Sequence, residues 1–344
     1  MKKKALKKGV NLGGWISQFK EYDHDHFRSF IQKEDILRIS DWGFDHIRLP
    51  VDYMVLEDAA SPGIFLQSGF DYIFSCWDWC QEAGLRVILD LHKAPGYAFD
   101  TQESNTFEDN KEMQQHFMEL WKTISTKLSS ISCDSMAFEL LNEVHFRSSN
   151  IWNKIVQQTV RSIRSVDKER LLLFGGNYYS SVDHLKDLVI LDDPRILYKF
   201  HFYLPLSVTH QKAYWVQGLH EFDQAVEYPG IAVGLEPFLE KNPLYKNRLS
   251  EDVNIQFDKT YLRKRLDAAI NFSNKISQPV HCGEFGVIDR ASMATRKNWT
   301  RDMVSLFNEL DIGYAYWCYK AMDFGLVDDV GEINDRELIN ILTK

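Results

Sequence analysis

The chain alternates short apolar segments with helical patterns along almost its whole length. Several segments, such as Val87–Leu89, are apolar on both alternating faces, which is typical of strands buried on both sides of a parallel sheet. Strands that alternate with amphipathic helices predict βαβ units. The strand candidates are Gly9–Gly13, His46–Val51, Arg86–Leu91, Met136–Leu141, Leu171–Gly175, Leu197–Phe202, Val280–Glu284 and Tyr314–Cys318.

Helical patterns, with apolar residues at i, i+3 and i+4, occupy the gaps between these strands. Two of the helices are expected to end at glycines, Gly43 and Gly84. The predicted helices are Glu34–Trp42, Phe70–Ala83, Glu112–Leu128, Asn153–Ser165, Ser181–Leu188, Lys259–Ile276 and Thr295–Leu310. Eight strands in this alternation predict an α/β fold of the TIM (β/α)8 barrel type.

A barrel of this type holds 344 residues in one unit, so we predict a single catalytic domain over residues 1–344. One connection, about residues 204–257 after strand six, is long and rich in aromatic residues. A connection of this length is usually functional or carries short elements of its own. We therefore expect an inserted subdomain or loop at the mouth of the barrel.

Composition excludes several classes of partner. The net charge of −9 and the absence of a Lys/Arg stripe exclude nucleic acid, and no apolar run reaches the ~20 residues of a membrane span. The basic run Lys2–Lys4 is followed by Gly9–Gly14 instead of the apolar core of a signal peptide. We expect a cytoplasmic monomer with reduced cysteines, or a secreted protein if a signal was removed before this numbering.

Polar and aromatic side chains concentrate at the C-terminal ends of the predicted strands, where a TIM barrel carries its active site. Glu143 follows strand four and Glu284 closes strand seven. Two carboxyl groups that face each other across a barrel mouth can cleave a glycosidic bond, because one donates a proton and the other acts as nucleophile or base. The other side chains at these ends are Arg48, His92, Asn142, His201, Tyr203 and Trp317.

Six segments, in this order along the chain, resemble glycoside hydrolase family 5. They are Asn11–Trp15, Ile47–Pro50, Asp90–His92, Leu140–Glu143, His201–Tyr203 and Gly283–Gly286. The likeness is closest to endo-β-glucanases of the clostridial cellulase C type, through Gly13–Gln18, Ala94–Tyr97, Thr209–Ala213 and Tyr319–Phe324. The resemblance implies a retaining enzyme for β-1,4- and mixed-linkage β-1,3-1,4-glucans, with no cofactor and no metal.

The resemblance and the chemistry assign the two carboxyl groups. Glu284 is expected to be the nucleophile and Glu143 the acid/base, with the carboxyl groups about 5–5.5 Å apart. Repulsion between them should keep Glu143 protonated, and Arg48 should hold the pKa of Glu284 low. Tyr203 is expected to donate a hydrogen bond to Glu284.

The remaining residues are expected to bind the sugar. Asn142 should bind the 2-hydroxyl, and His92 and His201 should orient hydroxyls or the carboxylates. An indole presents an apolar face to the C–H-rich face of a pyranose, so Trp317 is expected to form the floor under the reacting sugar. Trp15 and Trp215 are candidates for neighbouring subsites.

Two alternatives remain open. The first is another specificity in the same family, namely β-mannanase, xyloglucanase or exo-β-1,3-glucanase, because one or two loop side chains distinguish epimeric hydroxyls. The second is a barrel that binds glucan without cleaving it, which normally lacks one catalytic carboxylate. Both carboxylates are present here, so hydrolysis is favoured.

Overall fold

The computed structural model describes residues 6–100 and 105–344, and a closed barrel of parallel strands forms its core. All eight predicted strands are present, each with ends within two residues of the prediction. They are β1 (Lys8–Asn11), β2 (His46–Asp52), β3 (Arg86–Lys93), β4 (Met136–Glu139), β5 (Leu172–Gly175), β6 (Ile196–Phe202), β7 (His281–Phe285) and β8 (Gly313–Tyr316). The barrel closes because β1 pairs with both β2 and β8.

The barrel interior is unusually polar. Branched aliphatic side chains dominate the interior of most TIM barrels, but Arg48, Glu139 and Lys199 are fully buried here. Glycines make room for such side chains: a Cβ on Gly175 would lie 2.9 Å from Cε of Lys199, and one on Gly9 would lie 2.2 Å from the ring of the buried His46. Small residues on some strands therefore leave space inside the barrel for polar side chains from other strands.

Helices cover the outside of the barrel. Gly43 and Gly84 end their helices in the left-handed conformation, as predicted. The predicted helix Lys259–Ile276 is divided at Leu266, and the segment after β5 forms a 3₁₀ helix, Val182–Asp187. Outside the insertion after β6, the α-helices are His24–Ser29, Lys33–Trp42, Tyr53–Leu56, Gln67–Ala83, Lys111–Lys127, Ser149–Arg164, Lys259–Arg265, Asp267–Ile276, Met293–Glu309 and Arg336–Thr343. The segment Asn177–Ser180 forms a turn in which Tyr178, Tyr179 and Ser180 are left-handed.

The C-terminal helix Arg336–Thr343 was not predicted. Its apolar side chains Leu338, Ile339 and Leu342 are buried, and the helix packs on the helices Lys33–Trp42 and Met293–Glu309. A helix of two turns presents too few apolar positions for its period to be recognised in the sequence.

The long connection after β6 contains short helical elements and packs firmly on the barrel. Tyr228 joins it to the helix Met293–Glu309, because its backbone N–H donates to Oγ1 of Thr295 at 3.0 Å and its hydroxyl donates to Asp302 at 2.8 Å. The elements of the connection are the α-helices Leu206–Thr209, Leu219–Phe222, Leu235–Lys241 and Lys246–Leu249 and the 3₁₀ helices Pro243–Tyr245 and Ser250–Asp252.

Residues 2–4, the basic run of the sequence, lie outside the described residues. All five cysteines are free thiols. In the described ranges, no helix combines the length and the apolar character needed to cross a membrane.

Candidate active site

The two predicted carboxylates meet at the C-terminal mouth of the barrel. Glu284 lies in β7, where a register shift against β6 places it opposite His201. Glu143 lies four residues beyond the end of β4. One carboxylate oxygen from each glutamate and a ring nitrogen of His201 all lie within 4.8 Å of one another. The sequence therefore identified the pair that the fold brings together.

Glu143 has a left-handed backbone conformation, with φ 39°. Tyr97 supports this turn: its hydroxyl donates to the carbonyl of Glu143 at 2.7 Å and accepts from the backbone N–H of His145 at 2.8 Å. Non-glycine residues in this region are strained and persist where the surroundings fix them, often at functional sites. Sequence reasoning missed this role of Tyr97.

Arg48 organises the floor of the site. Its guanidinium donates to Oε1 of Glu284 at 2.7 Å, to both oxygens of Glu139 at 2.7 and 2.8 Å, and to the side-chain oxygens of Asn11 and Asn142, each at 2.9 Å. All five guanidinium N–H groups are thus used. Asp90 also lies 3.0 Å from Nη2 of Arg48.

Glu284 is held at both oxygens. Arg48 binds Oε1, and the hydroxyl of Tyr203 donates to Oε2 at 3.0 Å, as the sequence predicted. Burial raises the pKa of Tyr203 well above its usual value, so the phenol remains a donor. Tyr203 in turn contacts His210 of the long connection edge to face, with ring centroids 4.9 Å apart.

His92 and Asn142 form a second hydrogen-bonded group. Nδ1 of His92 lies 2.6 Å from Oδ2 of Asp90, and its Nε2 lies 3.4 Å from Nδ2 of Asn142. Burial lowers the pKa of His92 to about 4, so the ring is neutral near pH 7. A neutral ring can donate to Asp90 and accept from Asn142, which fixes the orientation of the amide.

His201 bridges Glu143 to a lysine behind the site. Its Nδ1 lies 2.8 Å from Oε1 of Glu143 and 3.6 Å from Oε2 of Glu284, and its Nε2 lies 3.0 Å from Nζ of Lys199. Lys199 also pairs with Glu139 at 2.8 Å. Lys199 was not predicted as a site residue, although it lies two residues before His201 on β6 and therefore on the same face of the strand.

The two carboxyl groups have different electrostatic surroundings. Burial raises the pKa of Glu143 well above its usual range, Glu284 raises it further, and Lys199 and Arg48 oppose these effects. Burial also raises the pKa of Glu284, although Arg48 lowers it. The expectation that Arg48 would hold this pKa low was thus wrong in its net result, because the effect of burial is larger. Glu143 has the higher pKa of the pair.

The three predicted tryptophans differ in position. Trp317 lies beside the site, 6% exposed and stacked on His92 with centroids 5.8 Å apart. Trp215 is 44% exposed on the connection after β6, beside His210. Trp15 is 1% exposed, and its indole N–H donates to the carbonyl of Phe27 at 2.7 Å. The side chain of Trp15 therefore belongs to the core and offers no surface for a sugar subsite.

The site at the mouth is distinct from a cavity of about 810 Å³ at the opposite end of the barrel. Leu6, His281 and Gly313 are among the residues that line this cavity, which lies at the N-terminal ends of the strands. Active sites of TIM barrels lie at the C-terminal ends. The paired carboxylates, and not this cavity, therefore define the candidate active site.

Comparison with known proteins agrees with this geometry. The family model described as Cellulase (glycosyl hydrolase family 5) matches residues 7–323. Endoglucanase C from Acetivibrio thermocellus is 41% identical over 340 residues, covering 99% of this chain and 98% of the relative. Cellodextrinase A from Ruminococcus flavefaciens is 32% identical over 311 residues, covering 90% of this chain and 84% of the relative.

The fold has close structural neighbours as well. The structure of Thermotoga maritima Cel5A in complex with cellobiose superposes with a TM-score of 0.79 at 22% identity, covering 99% of this chain and 98% of that one. At this level of identity the likeness concerns the fold. The family model and the 41% identity to Endoglucanase C show that the chain belongs to glycosyl hydrolase family 5 and is a glycoside hydrolase of the cellulase type.

Proposed function

We propose that the protein is a retaining endo-β-glucanase that hydrolyses β-1,4- and mixed-linkage β-1,3-1,4-glucans by double displacement. The spacing of Glu143 and Glu284 is the main support. Inverting enzymes separate their carboxyl groups by about 6.5–9.5 Å to admit a water molecule. Here a carboxylate oxygen of Glu143 lies within 4.8 Å of a carboxylate oxygen of Glu284, which supports the spacing of about 5–5.5 Å that retaining enzymes use.

In the first step, a carboxylate oxygen of Glu284 attacks the anomeric carbon and the glycosidic C–O bond breaks. Glu143 gives its proton to the departing oxygen, so the leaving chain departs as a neutral alcohol. The raised pKa of Glu143 supports this role, because a group that donates a proton near neutral pH must still hold one.

In the second step, Glu143 removes a proton from water as the oxygen of that water attacks the anomeric carbon. The bond to Glu284 breaks, and the sugar leaves with its original configuration. Arg48 and Tyr203 each bind one oxygen of Glu284, so they stabilise the carboxylate that returns as leaving group.

The substrate class is supported by the relatives and by the site. Endoglucanase C and Cellodextrinase A match this chain over most of their lengths and carry names of cellulose-chain hydrolases. In the proposed site, the sugar ring packs on Trp317, which lies beside His92, and its 2-hydroxyl binds Asn142, whose amide contacts Arg48 and His92. The exposed Trp215, on the connection after β6, is proposed as a neighbouring subsite.

The test begins with barley β-glucan, carboxymethylcellulose, glucomannan and laminarin, without added metal. We expect activity on the first two, release of the β-anomer, and products of intermediate length that indicate internal cleavage. First release of the α-anomer would remove Glu284 from its role, and preferred cleavage of glucomannan or laminarin would favour a different specificity. Binding of all four without cleavage would favour a glucan-binding barrel.

Two variants separate the roles of the carboxyl groups. Glu143→Ala should retain turnover of aryl glycosides with activated leaving groups and gain rate with azide, because those substrates need no acid for departure. Glu284→Gln should be inactive on both kinds of substrate. The opposite behaviour would reverse the assignment.

A further inference from the structure

Lys199 has no role in the two-step reaction described above, yet it lies against the site and is fully buried. Its Nζ is 2.8 Å from Oε1 of Glu139, 2.9 Å from the hydroxyl of Ser180 and 3.0 Å from Nε2 of His201. An ammonium group has three N–H donors and no acceptor. Each of its donors therefore has a partner, and Nε2 of His201 must accept.

This contact determines which nitrogen of His201 carries a proton. Burial and Lys199 lower the pKa of His201 well below its usual value, so the ring is neutral. A neutral imidazole has one donor and one acceptor nitrogen. Because Nε2 accepts from Lys199, Nδ1 carries the hydrogen and donates to Oε1 of Glu143 at 2.8 Å.

We propose that Lys199 is a positioning residue for the acid/base: it holds His201 in the Nδ1–H tautomer, which engages Oε1 of Glu143 and leaves Oε2 to carry the transferred proton. The proposal rests on the role assigned to Glu143 above. In the first step the proton moves from Oε2 to the glycosidic oxygen as the C–O bond breaks. In the second step Oε2 takes a proton from water.

The surroundings of Lys199 are built to hold it. Glu139 is bound on its other side by Arg48, so the carboxylate cannot turn away from the lysine. A Cβ on Gly175 would lie 2.9 Å from Cε of Lys199, so only glycine leaves space for the stem. Ser180 has φ 55° and follows two residues that are also left-handed, which points its hydroxyl toward Nζ.

The opposite tautomer would work against catalysis. With the hydrogen on Nε2, the ring would present an acceptor at Nδ1, and the proton of Glu143 would be drawn to Oε1, facing His201 instead of the leaving group. With Nδ1–H, Oε1 accepts in both the protonated and the ionised state of Glu143. The same hydrogen bond therefore serves both steps of the reaction.

The first test uses the wild-type protein and needs no activity. ¹⁵N spectra of protein labelled in its histidine rings, with His201→Asn used to assign the resonance, report the protonation of each nitrogen. We expect a protonated Nδ1 and an unprotonated Nε2 at His201 near pH 7. A protonated Nε2 would overturn the proposal, whatever substrate the enzyme proves to use.

The second test is Lys199→Met, assayed on β-glucan and on an activated aryl glycoside. Loss of the lysine removes a contribution that lowers the pKa of Glu143, so the basic limb of the kcat/KM profile should move to higher pH. The kcat on β-glucan should fall about tenfold or more, a part of the roughly 10²–10⁴-fold that general acid–base catalysis supplies. The kcat on the aryl glycoside should fall less, because its activated leaving group departs with less protonation.

The variant keeps the other charged and titratable side chains around Glu143, His201 and Lys199, and their fields still act on Glu143. They are Arg48, Asp90, His92, Tyr97, Glu139, His201, Tyr203, His281, Cys282 and Glu284. Arg170→Met is the matched control, since it removes a buried cation that bonds to Asp167 and to backbone carbonyls away from the site. It should lower the melting temperature without moving the basic limb.

The proposal would be overturned if the Lys199→Met protein folded and the basic limb of its kcat/KM profile stayed at the pH of the wild type. If the single variant does not fold, Glu139→Gln/Lys199→Met removes both charges of the buried pair, and the same shift of the basic limb is expected relative to Glu139→Gln. If the wild type hydrolyses no glucan, the proposed function fails, while the ring spectra still decide the tautomer.

Discussion

Arg48→Lys tests whether a fully used guanidinium holds the active site together. The five N–H groups of Arg48 donate twice to Glu139 and once each to Asn11, Asn142 and Glu284. Lysine keeps the positive charge but offers three donors on one nitrogen. At least two of the five acceptor contacts, five minus three, must therefore be lost.

The size of the effect follows from this count. A buried acceptor left without a partner costs about 1–3 kcal/mol, so two of them reduce the free energy of unfolding by roughly 2–6 kcal/mol. That is a large part of the ~5–15 kcal/mol of a typical domain. Urea unfolding followed by tryptophan fluorescence measures it directly.

Arg170→Lys is the matched control. Arg170 is buried and donates four hydrogen bonds outside the site, to Asp167 and to the carbonyls of Ser132, Met136 and Ile131. Lysine can replace three of the four, so the expected loss is about 1–3 kcal/mol. The control should leave the pH dependence of activity unchanged.

The kinetic consequence of Arg48→Lys has a definite sign. Arg48 lowers the pKa of Glu284, and the proposed nucleophile must be ionised. Weakening this contact raises the pKa, so the acid limb of the kcat/KM profile should move to higher pH. The prediction would be refuted if Arg48→Lys unfolded at the same urea concentration as the wild type, or if the acid limbs of the two kcat/KM profiles superimposed.

Two further predictions concern stability and binding. The pKa of Glu143 is raised in the folded protein, so its ionisation costs stability as the pH rises from the ordinary glutamate value toward the folded-state value. The melting temperature of Glu143→Gln, measured by calorimetry, should therefore be higher than that of the wild type, and the difference should grow from pH 4 to pH 7. A difference that does not change with pH would contradict this prediction. Trp215→Ala should raise the KM for polymeric β-glucan several-fold and leave the KM for short aryl glycosides unaffected. The control Val233→Ala, at an exposed position of the same connection, should change neither KM. An unchanged KM for the polymer in Trp215→Ala would exclude a subsite at Trp215.

The barrel and its two carboxylates could be predicted because they depend on local patterns. A strand buried on both faces must be apolar throughout, as in Val87–Leu89, and the chain direction then fixes which end of each strand faces the mouth. Glu143 and Glu284 could be identified because they lie at strand ends that face the mouth. The strand ends differ from the prediction by at most two residues because the strands continue into ordered loops.

Features that depend on distant partners could not be predicted. Trp15 and Trp215 look alike in the sequence, and only the packing of the chain determines that Trp15 is buried and Trp215 exposed. The left-handed turn at Glu143 is held by Tyr97, 46 residues earlier. Lys199 is the exception, because the alternation of β6 places it on the same face as His201, and a buried lysine needs a partner.

The roles proposed for the two glutamates agree with the small number of cations near them. In the part of the chain that the structure describes, four carboxyl groups of the site lie near two cations, namely Asp90, Glu139, Glu143 and Glu284 with Arg48 and Lys199. This excess of carboxyl groups over cations opposes the simultaneous ionisation of all four. Burial raises the pKa of Glu139, but Arg48 and Lys199 together bring it far below its usual range. Burial raises the pKa values of Asp90 and Glu143 well above their usual range.

Of the two glutamates at the mouth, Glu284 is the one that Arg48 binds directly, at 2.7 Å, and this contact lowers its pKa and favours its ionised form. Glu143 contacts neither cation, and its partner at Oε1 is the neutral ring of His201. A proton that enters this group therefore binds Glu143 before Glu284, which is the order that double displacement requires. Exchanging the acid and the nucleophile would require moving Arg48 from β2 to a strand beside Glu143, and not merely changing either glutamate.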